Sequence, residues 1–416
     1  MSSTNAQPWV PNEFVVVRPH LAVVMAELNG LPQPIHPRCE VSSFLDLVLV
    51  SIDNVERAAL QINGALGQGS RCDCRQAQPE HAIDRVIRAI RESCRQRYGG
   101  WVPVVGKNRT LDGVHTSQHV GIGGTAYPSC PDDVRIGDLS RGGSADRVTV
   151  GILDTGFWPH PQLKGRFLMG EPELYLPAAD RYPHTAGHST FVAGVVLQNS
   201  PDVDLRIRSV IDAAGGTATA WDVANEMVQL ARSVDVLNLS LACSTDDGEE
   251  PLVLARAIEF IGVDTIIVAA AGNHGGMIQR SDPRAPMSAA APIWPAASSR
   301  VVAVGAHGRN GERAQFSPEV PWVDLSAPGE DVDSLYLEGM VTFEARQGEP
   351  PQSDVRFDGF ARWSGTSFAA AAATGAIARR IRPGTNPRQA LREVLALPRG
   401  NPEGVWGHQL ASGGGD

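Results

Sequence analysis

Asp154, His188, Asn273 and Ser367 stand at points where a predicted strand or helix meets a loop. Asp154-Thr155-Gly156 follows the apolar run Val148–Leu153, Ser240-Leu241-Ala242 follows Val234–Leu239, and Ala271-Gly272-Asn273 follows Thr265–Ala270. His188-Ser189-Thr190 precedes the apolar run Phe191–Leu197, and Gly365-Thr366-Ser367 precedes an alanine-rich run through Arg379. A serine in the first turn of a helix presents a hydroxyl beside an unpaired backbone N–H. That pairing supplies a nucleophile and a donor for a developing oxyanion. An imidazole to take the proton and a carboxylate to orient it would complete the set. Each piece alone has an ordinary reading: Asp154 as a turn residue, Ser367 as a helix cap, Asn273-His274-Gly275 as a turn. His184, four residues before His188, competes with it on composition.

The elements that must position these residues can be read from periodicity. β-branched runs recur at Val148–Leu153, Leu205–Ile211, Val234–Leu239, Thr265–Ala270 and Val301–Gly305, with helical spacing at Ala218–Arg232 and Pro251–Ile261. Strands apolar on both faces and alternating with helices predict a parallel sheet covered by helices. In such a sheet, reactive groups collect beyond the carboxyl ends of the strands, which puts the acid and the amide on one rim. A further helix is predicted from Asn386-Pro387 through Leu397. Upstream, Glu13–Val17 and Phe44–Ile52 read as strands, and Leu21–Leu28, Val55–Ala65 and Ala82–Tyr98 as helices. The fold class is therefore α/β, a helix-flanked parallel sheet preceded by a small N-terminal α/β domain. The expected division is 1–117, 118–400 and a disordered tail at 401–416, with the change of rhythm in a glycine-containing stretch around Gly113–Gly143.

The chain has 416 residues, ample for a large core. Its net charge of −10 and isoelectric point near 5.6 exclude a general nucleic-acid or anionic-membrane binder. No apolar run approaches the roughly 20 residues that span a bilayer. The N-terminal MSSTNAQPWVPNEF lacks the basic, apolar and small-residue regions of a secretory signal, so the expectation is a cytoplasmic protein. Six widely spread cysteines read as thiols and not a disulfide framework. Cys72 and Cys74, with Cys39, Cys94, His36 and His81 nearby, match no common zinc spacing, and no metal is expected there.

From about residue 118 to about 380 the sequence resembles the subtilisin-like serine peptidases, or subtilases. VTVGILDTG is similar to their aspartate segment, GHSTFVAGV to the histidine segment, AAAGNHG to the oxyanion asparagine segment and GTSFAA to the serine segment, in the family's order. VDVLNLSLA, RVVAVGAHGRNGERAQFS and DLSAPG resemble further family strands and loops. The resemblance implies a serine endopeptidase acting on protein or peptide substrates through Ser367, His188 and Asp154. Asn273 and the Ser367 N–H would bind the oxyanion. It also implies that Ser240, Leu241 and Ala242 pair with substrate as an added strand. Ala270, Ala271 and Gly272 would wall the pocket for the residue before the cut.

The departures fall around the cleft. Ser189 follows the histidine where the family usually has glycine, and Ala371 stands where many relatives have proline. Ala242 and Cys243 replace two common glycines, which predicts a reshaped substrate cleft. The connection Gln198-Asn199-Ser200-Pro201 is too short for the loop that binds a structural calcium in many relatives, so neither metal nor cofactor is expected. Residues 1–117 occupy the place of a removable prodomain, and a permanent accessory domain fits equally. The competing readings have weaker support. An aspartic peptidase lacks a second Asp-Thr-Gly after a strand, the glutamate-using sedolisins conflict with His188, and no zinc-hydrolase spacing occurs. An idle binding fold conflicts with the filled catalytic positions. Acyl transfer to an amine would use the same triad, and a cap inserted within Tyr336–Phe360 would favour it.

Overall fold

The computed structural model describes residues 8–65, 81–113, 127–142, 147–166, 181–211, 216–276, 288–343, 353–382 and 384–408. These fall into two compact units.

The first unit comprises 1–110 together with Thr219–Asn225 and Glu250–Phe260. Its elements are β1 (Trp9–Val17), α1 (Leu21–Asn29), β2 (Arg38–Val41), β3 (Leu47–Ser51), α2 (Val55–Ala65), α3 (Ala82–Arg97) and most of β4 (Val105–Gly113). β1 lies between β3 and β4, antiparallel to both, with β2 on the far side of β3. In α3 the buried residues Ile83, Val86, Ile87, Ile90 and Cys94 recur at helical spacing and pack on Phe14, Val16, Val48 and Val50 of the sheet. Lys107 is buried here. Its Nζ is paired with Asp84 Oδ1 at 2.8 Å and lies 4.2 Å from the Trp9 ring centre, so the charge is matched.

The second unit carries the remaining described residues. Its elements are β5 (Thr149–Thr155), β6 (Arg181–Pro183), α4 (His188–Asn199), β7 (Asp204–Ile211), β8 (Thr217–Thr219, shared with the first unit), α5 (Ala220–Ala231, likewise shared), β9 (Val236–Leu239) and β10 (Leu241–Ser244). After α6 (Leu252–Ile261) come β11 (Ile266–Ala270), β12 (Ile293–Trp294), β13 (Val302–His307), β14 (Leu325–Pro328), β15 (Val332–Thr342), β16 (Val355–Trp363), α7 (Thr366–Ala378), α8 (Pro387–Leu395) and β17 (Trp406–Gly407).

The main sheet has the order β17-β14-β13-β11-β9-β5-β7, parallel throughout except for β17. The chain goes from β5 outward to β7, returns to β5's other side at β9, and continues away through β11, β13 and β14. That reversal opens a crevice at the carboxyl ends of β5 and β9. Asp154 closes β5 and Ser240 follows β9, so the switch point and the reactive residues coincide. α4 and α7 pack against each other and are buried along almost their whole length, which is why their sequences are apolar all round and not striped.

The predicted strands and helices appear within two or three residues of their expected ends. Two features differ from expectation. Tyr336–Phe360 lies in an antiparallel hairpin, β15 with β16, whose buried Tyr336 and Leu337 join the main core; residues 344–352 at its tip lie outside the described residues. Residues 401–408 are folded and not a tail, since Trp406–Gly407 adds to the edge of β14, while 409–416 lie outside the described residues. No disulfide joins the described Cys39, Cys94, Cys130 and Cys243, and Cys72 and Cys74 lie outside the described residues. No described helix is long and apolar enough to cross a membrane.

Candidate active site

Asp154, the penultimate residue of β5, directs its carboxylate at the first residue of α4. Its two oxygens lie 2.7 and 2.9 Å from His188 Nδ1, and the Thr155 N–H donates to Oδ1 at 2.7 Å. Both side chains are fully buried. A carboxylate on Nδ1 requires the proton there, which makes Nε2 the basic nitrogen. The ring is held from other sides by Trp363, edge-on with centroids 5.5 Å apart, and by Phe368, also at 5.5 Å. The Ser189 N–H donates to Thr155 Oγ1 at 3.3 Å, so the departure from glycine at 189 leaves this join between α4 and β5 in place.

His184 is not part of this contact. It lies in the short 3-10 turn before α4, buried against Tyr127, Phe343 and Trp363, with its carbonyl accepting from the Tyr336 hydroxyl. Composition could not separate the two histidines; the helix start does.

Ser367 is the second residue of α7, in the turn packed on His188 through its neighbour Phe368. Its hydroxyl is buried and makes no hydrogen bond. Its carbonyl accepts from Ser240 Oγ at 3.3 Å, and that hydroxyl is held by Asn238 Nδ2 at 3.0 Å. Asn238 Oδ1 in turn accepts from Thr374 Oγ1 at 3.1 Å. This buried chain fixes α7 to the end of β9, and each member is satisfied.

Asn273 lies beside the same turn. Its Oδ1 accepts from the Thr366 N–H at 3.0 Å and Thr366 Oγ1 at 3.1 Å, while the Gly272 N–H donates to Thr366 Oγ1 at 3.1 Å. With the oxygen of the amide engaged, its NH₂ faces the opposite way, on the side of Gly365. Thr366 is thus the residue that sets the amide, and sequence reasoning passed over it. Asn238, Thr374, Trp363 and Phe368 were also passed over. Of these only Asn238, a polar residue inside an apolar strand run, carried a visible signal.

The residues expected to hold substrate divide. Leu241 and Ala242 already have a strand beside them: Gly113 pairs with Leu241 and Asp112 with Ala242, antiparallel. Ser240 turns its hydroxyl inward, as described. Ala270 and Ala271 are tied to β13, Ala270 through the parallel ladder and the Ala271 N–H through the Val304 carbonyl at 3.0 Å. Gly272, at φ +99°, is where the chain leaves the sheet. At the short connection after α4, the Arg166 guanidinium donates to the carbonyls of Leu139 and Pro201. Among the described residues no group of three His, Cys, Asp or Glu side chains forms a metal-holding set.

The subtilase family model matches residues 145–396, a span that includes all four reactive positions. The chain is 30% identical over 210 residues to a thermostable alkaline protease of Halalkalibacterium halodurans, covering 47% of this chain and 52% of that protein. It is 28% identical over 332 residues to mycosin-4 of Mycobacterium tuberculosis, covering 70% and 69%. The chain spans about half the length of several curated relatives it matches. A solved lanthipeptide protease has a TM-score of 0.45 at 20% identity, covering 59% of this chain and 78% of that one. On the family match, which extends over well more than half of its length, the chain belongs to the subtilase family.

Proposed function

We propose that the protein is a serine endopeptidase that cleaves peptide bonds through an acyl-enzyme on Ser367. The observation that carries this reading is the buried Asp154 carboxylate on His188 Nδ1, at the start of a helix packed on the one that begins with Ser367. Ser367 Oγ attacks the scissile carbonyl, and His188 Nε2 takes its proton and later gives it to the leaving amine. Asp154 holds the tautomer and stabilises the imidazolium that forms. The Asn273 amide and the Ser367 N–H, at the positive end of α7, bind the oxyanion. Water then hydrolyses the ester. Attack, proton transfer and oxyanion binding all fall to side-chain and backbone groups, so the reading requires no cofactor.

The strand beside Leu241–Ala242 bears on substrate entry. Asp112–Gly113 lies where the added strand of a substrate is expected, so this segment of the chain must leave before a peptide can take the same edge. Intact-mass measurement of active enzyme tests that step. A full-length species that turns over substrate with this strand cross-linked in place would refute it.

The catalytic assignment is tested by fluorophosphonate labelling of the wild type and of Ser367→Ala, His188→Ala and His184→Ala. Labelling is expected to vanish in the first two variants and persist in the third. Persistent labelling of Ser367→Ala overturns the assignment.

A further inference from the structure

The rim holds a second buried imidazole that the proposed chemistry does not use. His274 follows Asn273 and is 1% exposed. Its Nε2 lies 3.2 Å from the Ala291 carbonyl, so Nε2 carries the proton and Nδ1 is left as an acceptor. Burial lowers its pKa to about 4, which keeps the ring neutral at any pH where His188 can act as a base. Nδ1 is buried and has no hydrogen-bond partner. A buried acceptor without a donor is costly and uncommon, and asks what donor the site is built for.

Its direction is given by Gly272. A Cβ built on that residue would lie 2.6 Å from His274 Nδ1 and 3.3 Å from Ile293 Cγ1. The acceptor and the isoleucine therefore converge on the bare α-carbon one residue before Asn273. Ile293 is buried and belongs to β12, which pairs antiparallel with β10 (Ser244↔Ile293, Cys243↔Trp294). The space between Leu241–Ala242 and Gly272 is thus closed at its base by one branched aliphatic side chain and one hydrogen-bond acceptor.

We propose that His274 and Ile293 determine specificity for the residue before the cut, selecting a small side chain with a hydroxyl donor, serine or threonine. This rests on the peptidase reading above. Ile293 leaves too little depth for an aromatic or long aliphatic group. Nδ1 accepts the hydroxyl proton, and an apolar isostere such as alanine leaves that nitrogen unpaired. Sites built to hydrogen-bond a substrate hydroxyl discriminate strongly against analogues lacking it, and one such bond corresponds to a ratio on the order of tenfold.

The test uses the full chain and a series of tetrapeptide aldehydes differing only in the last residue (Ser, Thr, Ala, Leu, Phe), each competing with fluorophosphonate labelling of Ser367. In the wild type, serine and threonine aldehydes are expected to protect about tenfold better than alanine, and phenylalanine worst. In His274→Phe the Ser-to-Ala ratio should fall to near one. In Ile293→Gly, Leu and Phe should improve at least tenfold relative to Ala. Each ratio is taken within one protein preparation, so a variant that folds in lower yield still reports it. A wild-type preference for Phe or Leu, or a Ser-to-Ala ratio unchanged in His274→Phe, overturns the proposal. A wild type that no fluorophosphonate labels overturns the peptidase reading, and this proposal with it.

Discussion

The crossing of α4 and α7 sets the relative position of the two helices that begin with His188 and Ser367, and it is closed by Gly375. A Cβ built there would lie 2.5 Å from Asn199 Cβ and 2.8 Å from the Val196 carbonyl oxygen. Neither obstacle is the swinging end of a long side chain: one is a Cβ, the other backbone. Normal contact is about 3.5–4 Å, so Gly375→Ala must push the helices apart by about 1 Å at that end. Overpacking of this kind costs about 1–3 kcal/mol. Better helix propensity returns up to about 1 kcal/mol, leaving a net loss near 1–2 kcal/mol. The same displacement tilts Ser367 against His188, and a misplacement of about 1 Å can cost on the order of 10²-fold in rate. Urea denaturation and active-site-titrated kcat measure the two effects, with Gly137→Ala, where a Cβ meets nothing within 4 Å, as control. Gly375→Ala is expected to lower both the midpoint and kcat while KM changes little. A variant matching Gly137→Ala in midpoint and kcat would show that the helix crossing is not as tight as described, and would refute the coupling.

Thr366→Val removes the hydroxyl shared by Asn273 Oδ1 and the Gly272 N–H. Expected is a kcat loss of roughly tenfold, below the 10²–10³ measured for deleting such an asparagine in a relative, with KM nearly unchanged; an unaltered kcat contradicts the positioning role. Arg166→Leu strips the donors from the Leu139 and Pro201 carbonyls and should cost about 2–4 kcal/mol in denaturant titration. With that guanidinium in place, the melting temperature should not respond to EDTA, and a drop on chelation would reveal a cation the fold depends on. His274, held at about 4 against an ordinary 6.5, favours the folded state by about 3 kcal/mol. Because the folded value is the lower one, that contribution is complete above pH 6.5 and is lost as pH falls through 4. His274→Gln should flatten the acid limb of a stability-versus-pH curve, and an unchanged limb would place the acid sensitivity elsewhere.

Much of the sheet and the reactive set was legible in the sequence because both depend on local pattern. The β-branched runs that became β5, β7, β9, β11 and β13 are apolar on both faces, and a both-faced apolar strand has only one common environment. Asp154, His188, Asn273 and Ser367 each sit at the junction of such a run with polar residues. What stayed hidden depends on pairing between distant segments. Arg38–Val41 is wholly exposed and carries no apolar alternation, so β2 left no periodic mark. The hairpin of β15 and β16 is interrupted by a register shift between Leu335 and Glu338, which breaks the two-residue period across its middle. Asp112–Gly113 was read as the start of a linker because Asp-Gly is turn chemistry, yet it is a strand beside Leu241–Ala242. Thr366 was overlooked for the opposite reason. It stands inside a recognised segment, where the eye goes to the serine, and its part is evident only from the two acceptor and donor atoms 93 and 94 residues away.

The distribution of unsatisfied and satisfied polar atoms at the rim is itself an argument about function. Asn238, Ser240, Thr374 and Thr366 are buried polar side chains, and every one has partners at 3.0–3.3 Å. A few ångströms on, Ser367 Oγ and His274 Nδ1 are equally buried and have none. A core that satisfies its polar groups so fully elsewhere, yet leaves a hydroxyl and an imidazole nitrogen unmatched on one rim, has accepted a cost of about 1–3 kcal/mol at each. Packing cannot account for it, since alanine and phenylalanine would fill the same space without the cost. The reactive hydroxyl is explained if an acyl carbon becomes its partner, and the imidazole nitrogen if a donor on the same substrate does. On that reasoning Ser367→Ala, although inactive, should be at least as stable as the wild type in thermal denaturation, and a destabilised Ser367→Ala would mean that the hydroxyl serves the fold.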